Sequence, residues 1–277
     1  MVKRIAVIND LSGFGRCSLT AAIPVISVMG VQACPLPTAV LSAQTGFGSY
    51  YIDCSSRRMA DIADCWRDMR VRFDGIYSGF FADIDQIDTV SNFVGDYREA
   101  MLIVDPVLGD DGRIYPCFDG KMCDAVRQLA MSADVITPNL TELCLLAGAD
   151  YGQLTAHCSD SDYVNRIAGV GERLLAGGVG NIIVTGIQTG QKVGNLLIGG
   201  ERHYCECDRL GGSYSGTGDI FASIIAASAV KRTSLSAAVD TATRFIADAV
   251  ADTECESVDR RHGVNFEKNL YRLGNVK

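Results

Sequence analysis

Near the start of the chain, Val2-Lys3-Arg4-Ile5-Ala6-Val7-Ile8 runs directly into Asn9-Asp10. The run from Ile5 to Ile8 is continuously apolar, which is typical of a strand buried on both faces. We therefore predict a strand over 2–8. Strands buried on both faces belong to parallel sheets, and ligands of such sheets bind beyond the carboxyl ends of the strands. Asn9 and Asp10 consequently stand where a ligand is expected.

The rest of the chain repeats this pattern of a short apolar run followed by a longer amphipathic segment. Such alternation implies right-handed β-α-β units and a mostly parallel sheet with helices on both faces. The runs 193–198 and 202–207 flank Gly199-Gly200, which predicts a hairpin. The other predicted strands are 31–37, 75–78, 101–104, 135–137 and 181–185. The predicted helices are 18–29, 57–72, 83–98, 121–131, 141–147, 163–176, 216–230, 236–251 and 264–273.

The fold class predicted from this pattern is α/β, a three-layer αβα sandwich around a central, mostly parallel sheet. The chain contains no low-complexity linker and no internal repeat. We therefore expect a single domain over residues 1–277. Only one helix separates the first two predicted strands, so no separate lid domain is expected.

Composition excludes several classes of protein. The net charge of -8 and a pI near 4.9 argue against a nucleic-acid partner, because binding to a phosphate backbone needs a basic face. No apolar stretch reaches the ~20 residues of a membrane helix, and the N-terminus lacks the features of a signal peptide. The eleven cysteines, an odd number scattered along the chain, fit a reducing compartment. We therefore expect a cytoplasmic protein with no membrane partner.

A glycine-rich loop before a late apolar helix is the strongest local signal. It reads Gly211-Gly212-Ser213-Tyr214-Ser215-Gly216-Thr217-Gly218-Asp219 and continues into Ile220-Phe221-Ala222-Ser223-Ile224-Ile225. The free N–H groups and the dipole of a helix N-terminus favour an anion such as a transferring phosphoryl group. Asp219, in the first turn, could accept a proton from a substrate alcohol. Taken alone, the same residues also fit a glycine turn with an acidic residue at a helix N-terminus.

Two further motifs follow predicted strands. In Thr137-Pro138-Asn139-Leu140-Thr141-Glu142, Asn139 and Glu142 have the spacing of a capping box, which the pattern alone favours. The functional alternative is that both residues hold the water shell of a Mg²⁺ ion. Asp105 follows the strand over 101–104, where it either forms a turn with Pro106 or faces a ligand.

Other common motifs are missing. The chain has no GxGxxG dinucleotide fingerprint and no GxxxxGK[ST] phosphate loop, which argues against a Rossmann oxidoreductase and a P-loop kinase. Cys205 and Cys207 form the one close cysteine pair, and no second pair follows at zinc spacing. Most cysteines are therefore expected to fill the core.

Together the motifs resemble the ribokinase superfamily. Gly216-Thr217-Gly218-Asp219 is similar to its anion-hole and catalytic-base motif, and Asn139-Leu140-Thr141-Glu142 is similar to its magnesium motif. Within the superfamily the chain resembles the pyridoxal kinase branch over nearly its whole length. This resemblance is carried by Asn9-Asp10-Leu11-Ser12-Gly13-Phe14-Gly15, Cys34-Pro35-Leu36-Pro37-Thr38, Ser42-Ala43-Gln44-Thr45-Gly46, Ser78-Gly79-Phe80, Asp105-Pro106-Val107-Leu108-Gly109-Asp110 and Thr137-Pro138-Asn139-Leu140-Thr141-Glu142.

The resemblance implies an activity and its partners. The expected reaction is transfer of the ATP γ-phosphoryl group to the 5′-hydroxymethyl group of a B6 vitamer: pyridoxamine, pyridoxal or pyridoxine. ATP and Mg²⁺ are the implied cofactors, and a requirement for a monovalent cation is left open. A homodimer is the implied assembly.

The resemblance also implies the roles of individual residues. Asp219 would be the catalytic base, and Gly216, Thr217 and Gly218 would form the anion hole. The implied vitamer site comprises Asp10, Thr38, Thr45, Phe80 and Asp219. The implied ATP site comprises Asp105, Thr137, Asn139, Glu142, Thr185, Tyr204, Cys205, Glu206, Cys207, Gly216 and Gly218, with Asp105 and Glu142 also facing the metal. Three positions depart from the family pattern, where many members have Ser for Asp10, Tyr for Phe80 and, in some, Lys for Thr185.

Two alternatives remain open at this stage. One is a hydroxymethylpyrimidine kinase, which shares the fold and the type of pocket. The other is a non-catalytic ligand-binding protein on the same fold, since fold alone does not fix function. That second alternative predicts a damaged anion hole or a missing base, whereas Gly216, Gly218 and Asp219 are all present.

Overall fold

The computed structural model describes residues 2–54, 56–156, 158, 161–256 and 258–274. Its strands are β1 (Arg4–Ser12), β2 (Gln32–Leu41), β3 (Ile52–Cys54), β4 (Gly75–Ser78), β5 (Met101–Val104), β6 (Gly109–Asp110), β7 (Arg113–Ile114), β8 (Val135–Ile136), β9 (Asn181–Thr189), β10 (Lys192–Ile198) and β11 (His203–Asp208). Its α-helices are α1 (Ser18–Val28), α2 (Ser56–Asp68), α3 (Ile84–Asp96), α4 (Gly120–Met131), α5 (Leu140–Ala147), α6 (Tyr151–Thr155), α7 (Tyr163–Ala176), α8 (Thr217–Val230) and α9 (Leu235–Cys255). Two 3₁₀ helices follow, at Arg260–His262 and Glu267–Arg272.

Nine of the described strands form one sheet, in the order β11-β10-β9-β8-β5-β4-β1-β2-β3. The six strands from β9 to β2 run parallel, and β3, β10 and β11 add to the two edges in antiparallel fashion. β6 and β7 form a separate small hairpin. The parallel strands end at one edge of the sheet, as the sequence predicts.

Helices cover both faces of the sheet, and β1 shows why its sequence does not alternate. Ile5 and Val7 pack with residues of α1, α8 and α9 on one face, whereas Ala6 and Ile8 pack with α2 on the other. Residues of α3, α4, α5 and α7 extend the second layer. A strand enclosed on both faces needs apolar residues at every position. The predicted αβα sandwich is confirmed.

Most predicted elements are present, with shifted ends. β1 continues to Ser12, because its pairing with β2 resumes beyond a register shift between Asn9 and Leu11. Asn9 and Asp10 therefore lie within the strand, near its carboxyl end. The short edge strand β3 was not predicted, because its three residues, Ile52–Cys54, are too few to show an apolar run or an alternating pattern.

The predicted helix over 264–273 is wrong. The backbone N–H of Asn265 donates to the side-chain hydroxyl of Thr253, so this segment enters the fold as a non-helical chain. A 3₁₀ helix follows only over Glu267–Arg272.

None of the helices in the described residues has the length and the apolar composition needed to span a membrane.

Because the sheet is enclosed, its central residues should dominate stability. Ile76 of β4 is fully buried, whereas Ile52 of the edge strand β3 is 42% exposed. We expect Ile76→Ala to lower the free energy of unfolding by about 2–5 kcal/mol, because it removes buried methyl groups and leaves a cavity. The matched variant Ile52→Ala should change it by about 0.5 kcal/mol. Chemical denaturation measures both, and equal losses would contradict a core centred on β4.

Candidate active site

A cavity of about 650 Å³ opens at the carboxyl ends of the parallel strands. One wall is formed by the end of β1, the residues after β4, β5 and β8, and the N-terminus of α8. The opposite wall is formed by β9, β10 and the later part of α9. This is the edge at which the sequence places the ligand.

The N-terminus of α8 requires glycine at one position and leaves space at another. Gly216 has φ +81° and ψ -2°, and a Cβ atom there would lie 1.9 Å from the carbonyl oxygen of Arg16. Only glycine tolerates this conformation at such a close approach. A Cβ atom on Gly218, by contrast, would have no atom within 4 Å. Gly218 therefore borders open cavity, next to the helix N–H groups that have no partner within the helix.

Asp219 lies in the first turn of α8 and lines the cavity. Its Oδ1 accepts a hydrogen bond from the Asn9 amide at 3.0 Å. Its pKa is raised to about 6, chiefly by burial and also by the charge of Asp10, against hydrogen bonds from the Ser18 backbone N–H and from Asn9 that lower it. A carboxyl group with this pKa is ionised at neutral pH and can still accept a proton.

Asp105 and Glu142 line the same cavity as Asp219 and are strongly desolvated. The pKa of Asp105 is raised to about 7 by burial and by the charge of Asp219, although the Thr137 hydroxyl donates to it at 3.0 Å. Burial and the charge of Asp105 also raise the pKa of Glu142 well above its ordinary value. Together they make a region of negative potential that favours a cation.

The capping box predicted for Asn139 and Glu142 is present. The Asn139 side chain accepts from the Glu142 N–H at 3.0 Å, and Glu142 Oε2 accepts from the Asn139 N–H at 2.8 Å. Glu142 Oε1 accepts from the Leu108 N–H at 3.1 Å. Each Glu142 oxygen thus has one backbone donor and retains a lone pair. The capping and the functional interpretations are therefore compatible.

Asp10 is held by two serine hydroxyl groups. Ser18 donates to one oxygen at 2.5 Å and Ser12 donates to the other at 2.7 Å. Burial raises the pKa of Asp10, and these hydrogen bonds lower it. Ser18 adopts φ 48°, a strained conformation for serine, and its N–H and hydroxyl bridge Asp219 and Asp10. The sequence did not identify Ser12 and Ser18 as site residues, because no local pattern shows that their hydroxyl groups donate to Asp10 in the folded protein.

Most of the residues predicted for the site line this one cavity. They are Asp10, Thr45, Phe80, Asp105, Thr137, Asn139, Glu142, Thr185, Cys207, Gly216, Thr217, Gly218 and Asp219. The cavity is also lined by residues that were assigned no role from the sequence, among them Asp110, Tyr115, Arg260 and Arg261. No local sequence pattern distinguishes the two arginines from other charged residues of the chain.

Four predicted residues do not line the cavity. Thr38 is buried beneath it in β2, and its carbonyl oxygen accepts from the Gln86 amide. Tyr204 and Glu206 face the other side of β11, because side chains alternate along a strand. Tyr204 packs over Gly194, and Glu206 forms an ion pair with Lys192. Cys205 faces α9 as Cys207 does, but it lies two residues farther from the cavity.

The C-terminal segment closes the site from one side. In the 3₁₀ helix Arg260–His262, the carbonyl oxygen of Arg260 accepts from the Ser215 N–H. The carbonyl oxygen of Arg261 accepts from the Gln44 side chain, and that of His262 accepts from the Arg16 N–H. Three cavity loops are thereby joined to one short helix.

The comparison with known proteins decides the family. The family model for phosphomethylpyrimidine kinase matches residues 15–265. The chain belongs to the phosphomethylpyrimidine kinase family. This membership confirms the predicted kinase, and the structural relatives confirm the ribokinase-like fold.

Three relatives of this chain are informative. A phosphomethylpyrimidine kinase candidate from Bacteroides thetaiotaomicron, solved in a crystal form with pyridoxal, is 38% identical with a TM-score of 0.91, over 99% of this chain and 96% of that one. The pyridoxal kinase of Lactobacillus plantarum is 30% identical with a TM-score of 0.88, over 99% and 97%. The pyridoxine/pyridoxal/pyridoxamine kinase of Bordetella avium is 25% identical, over 87% and 82%. The predicted resemblance to pyridoxal kinases is confirmed.

The desolvated carboxyl groups predict an unusual pH dependence of stability. The pKa of Asp105 rises from 3.8 to about 7 on folding, so the folded protein retains a proton that the unfolded chain has lost. The contribution of Asp105 to the free energy of unfolding therefore falls as pH rises from about 4 to 7. We expect Asp105→Asn to be more stable than the wild type at pH 7.5, by about 2 kcal/mol without metal or nucleotide.

Urea unfolding at pH 5 and pH 7.5 measures this effect. The matched control is Asp61→Asn on the exposed face of α2, which should change stability by about 0.5 kcal/mol at both pH values. An Asp105→Asn variant less stable than the wild type at pH 7.5 would show that the charge of Asp105 is compensated in the folded protein.

Proposed function

We propose that this chain transfers the γ-phosphoryl group of ATP to the 5′-hydroxymethyl group of a B6 vitamer. One observation carries the proposal: Asp219 stands at the N-terminus of α8, inside the same cavity as Asp105 and Glu142. A proton acceptor, a phosphate-binding helix end and cation-attracting carboxylates are the groups that phosphoryl transfer needs.

The single domain predicted for residues 1–277 stays a prediction, which the one continuous nine-stranded sheet supports.

The chain's own residues supply two parts of the reaction. Asp219 accepts the proton of the attacking hydroxyl group as the oxygen bonds to phosphorus, and little proton transfer is needed early in a loose transition state. The N–H groups of Thr217, Gly218 and Asp219 face the equatorial oxygens of the phosphoryl group and stabilise their charge. Because Gly216 lies against the Arg16 carbonyl, this helix end is fixed before substrate binds.

Asp105 and Glu142 fit an Mg²⁺ ion that is shared with ATP. No group of three His, Cys, Asp or Glu side chains among the described residues could hold a metal by itself. Two carboxyl groups with raised pKa values and free lone pairs suit an ion that keeps several waters and binds substrate phosphates. When bound, Mg²⁺ would neutralise charge on the β- and γ-phosphates. The monovalent cation stays a prediction.

The two ends of the cavity suit different ligands. Val193, Cys207, Ile246 and Val250 line one end between β10, β11 and α9, where an apolar slot suits a purine ring. Asp10, Thr45 and Phe80 line the other end, which we assign to the vitamer. Phe80 offers a ring face for the pyridine ring, and Asp10 attracts a cationic substituent or a protonated ring nitrogen.

We further propose a cytoplasmic homodimer. All eleven cysteines are among the described residues and are free thiols, which supports a reducing compartment. At the β2–β3 edge of the sheet, Val40, Tyr51 and Ile52 are exposed, and such apolar edge residues favour self-association.

A hydroxymethylpyrimidine substrate is the second candidate, because the matching family model is named for phosphomethylpyrimidine kinase. Both substrates present a hydroxymethyl group on a six-membered nitrogen ring. The B6 vitamer is favoured because the Bacteroides relative holds pyridoxal and the Lactobacillus and Bordetella relatives are named for B6 vitamers.

The test is a phosphorylation panel with Mg-ATP and four acceptors: pyridoxamine, pyridoxal, pyridoxine and hydroxymethylpyrimidine. We expect at least one vitamer to be phosphorylated with a higher kcat/KM than hydroxymethylpyrimidine. Asp219→Asn removes the base and should lower kcat by about 10²–10⁴-fold while ATP still binds. A preference for hydroxymethylpyrimidine would favour the second candidate, and ATP binding without transfer to any acceptor would indicate a non-catalytic ligand-binding protein.

Gly218 allows a separate test of the anion hole. A methyl group there has room in the fold but would stand where phosphoryl oxygens approach. We expect Gly218→Ala to lower kcat/KM about 100-fold, with the Tm changed by roughly 2 °C or less. The control is Gly120→Ala in the first turn of α4, where a Cβ atom also meets nothing within 4 Å. Gly218→Ala with the activity of the control would remove this helix end from the phosphoryl site.

A further inference from the structure

Asn9 is a buried amide at the carboxyl end of β1, with 1% of its surface exposed. Its Oδ1 accepts from the backbone N–H of Asp10 and of Phe80, each at 3.0 Å. Its Nδ2 donates to Asp219 Oδ1, also at 3.0 Å. One side chain therefore connects β1, the second residue after β4, and the first turn of α8.

The orientation of the Asn9 amide is fixed. Two backbone N–H groups need an acceptor on one side, which places the carbonyl oxygen there and turns the NH₂ group toward Asp219. Gly79 provides the space: a Cβ atom at that position would lie 2.5 Å from Asn9 Nδ2. The amide can therefore neither flip nor withdraw without losing buried hydrogen bonds.

We propose that Asn9 is a positioning residue for Asp219. The assignment deepens the proposed function and rests on it, since it presumes that Asp219 is the base. By holding Oδ1, Asn9 sets the rotation of the carboxylate that faces the substrate hydroxyl. A reacting group held in this way reaches the transition state without a search for its orientation.

The surroundings of Asp219 make this hydrogen bond important for its ionisation. Among the described residues, five titratable groups interact with Asp219: Asp10 of β1, Cys17 before α1, Tyr77 of β4, Asp105 after β5 and Tyr115 after β7. All five are acids. Against them, the hydrogen bonds from the Asn9 amide and the Ser18 N–H favour the ionised carboxylate.

Asn9→Asp separates positioning from structural anchoring. The new side chain keeps an acceptor for the N–H groups of Asp10 and Phe80 but, when ionised, has no donor for Asp219. We expect kcat at pH 7 to fall about 100-fold. The acid limb of the kcat profile should move to higher pH by about one unit or more, because a carboxylate that loses a donor and gains a negative neighbour is harder to ionise. The KM for ATP should stay near the wild-type value.

The matched control is Asn269→Asp. Asn269 is also a buried amide whose Nδ2 donates to a carboxylate, Asp252 Oδ2 at 2.8 Å, but it lies outside the cavity. This variant should lose stability without a shift of the pH profile. Gly79→Ala acts on the same hydrogen bond from the other side. It should reproduce the limb shift, and it decides the question if Asn9→Asp fails to fold.

A second readout does not depend on turnover. Carboxyl-carbon NMR, with Asp219→Asn to assign the resonance, follows the titration of Asp219 directly, and its pKa should rise in Asn9→Asp. An inactive wild type with this rise would overturn the proposed function but support the hydrogen bond as the control of Asp219. An active wild type, together with an unchanged profile and an unchanged pKa in both site variants, would overturn the positioning role.

Discussion

Parallel pairing of strands that are buried on both faces is the constraint from which the site follows. The layers above and below the sheet enclose continuous apolar runs over residues 5–8 of β1, 101–104 of β5 and 135–136 of β8. Asn9, Asp10, Asp105 and Thr137 follow these apolar runs, and parallel pairing brings the ends of the runs to one edge of the sheet. The N-terminus of α8 reaches the same edge, because this helix packs on the sheet beside α1.

This arrangement brings buried acidic groups together, and their ionisation becomes less favourable as a result. Asp10, Asp105, Glu142 and Asp219 all have pKa values raised by burial, and the charges of neighbouring acids add to the effect at three of them. A fold selected for stability alone would separate such groups. Their proximity costs stability in the absence of ligands, and a bound cation would reduce that cost by pairing with their negative charge.

The sequence predicts what depends on local pattern. The strands over 75–78 and 101–104 and the helix over 163–176 have the predicted bounds, because apolar periodicity and flanking residues specify them. It does not predict what depends on distant contacts: Asn9 and Asp219 are 210 positions apart, and Ser12 and Ser18 meet Asp10 only after the chain folds back. The placement of Tyr204 and Glu206 depends on which face of β11 packs against α9, and the family resemblance does not specify that face.

The 3₁₀ helix Arg260–His262 has a consequence for how the site opens. Its three carbonyl oxygens accept hydrogen bonds from the glycine loop before α8, from the loop after β2 and from the loop before α1. Separation of this helix from the cavity would release all three loops together. We therefore expect these loops to open as one unit, and amide hydrogens in them to share one exchange behaviour although they are far apart in the chain.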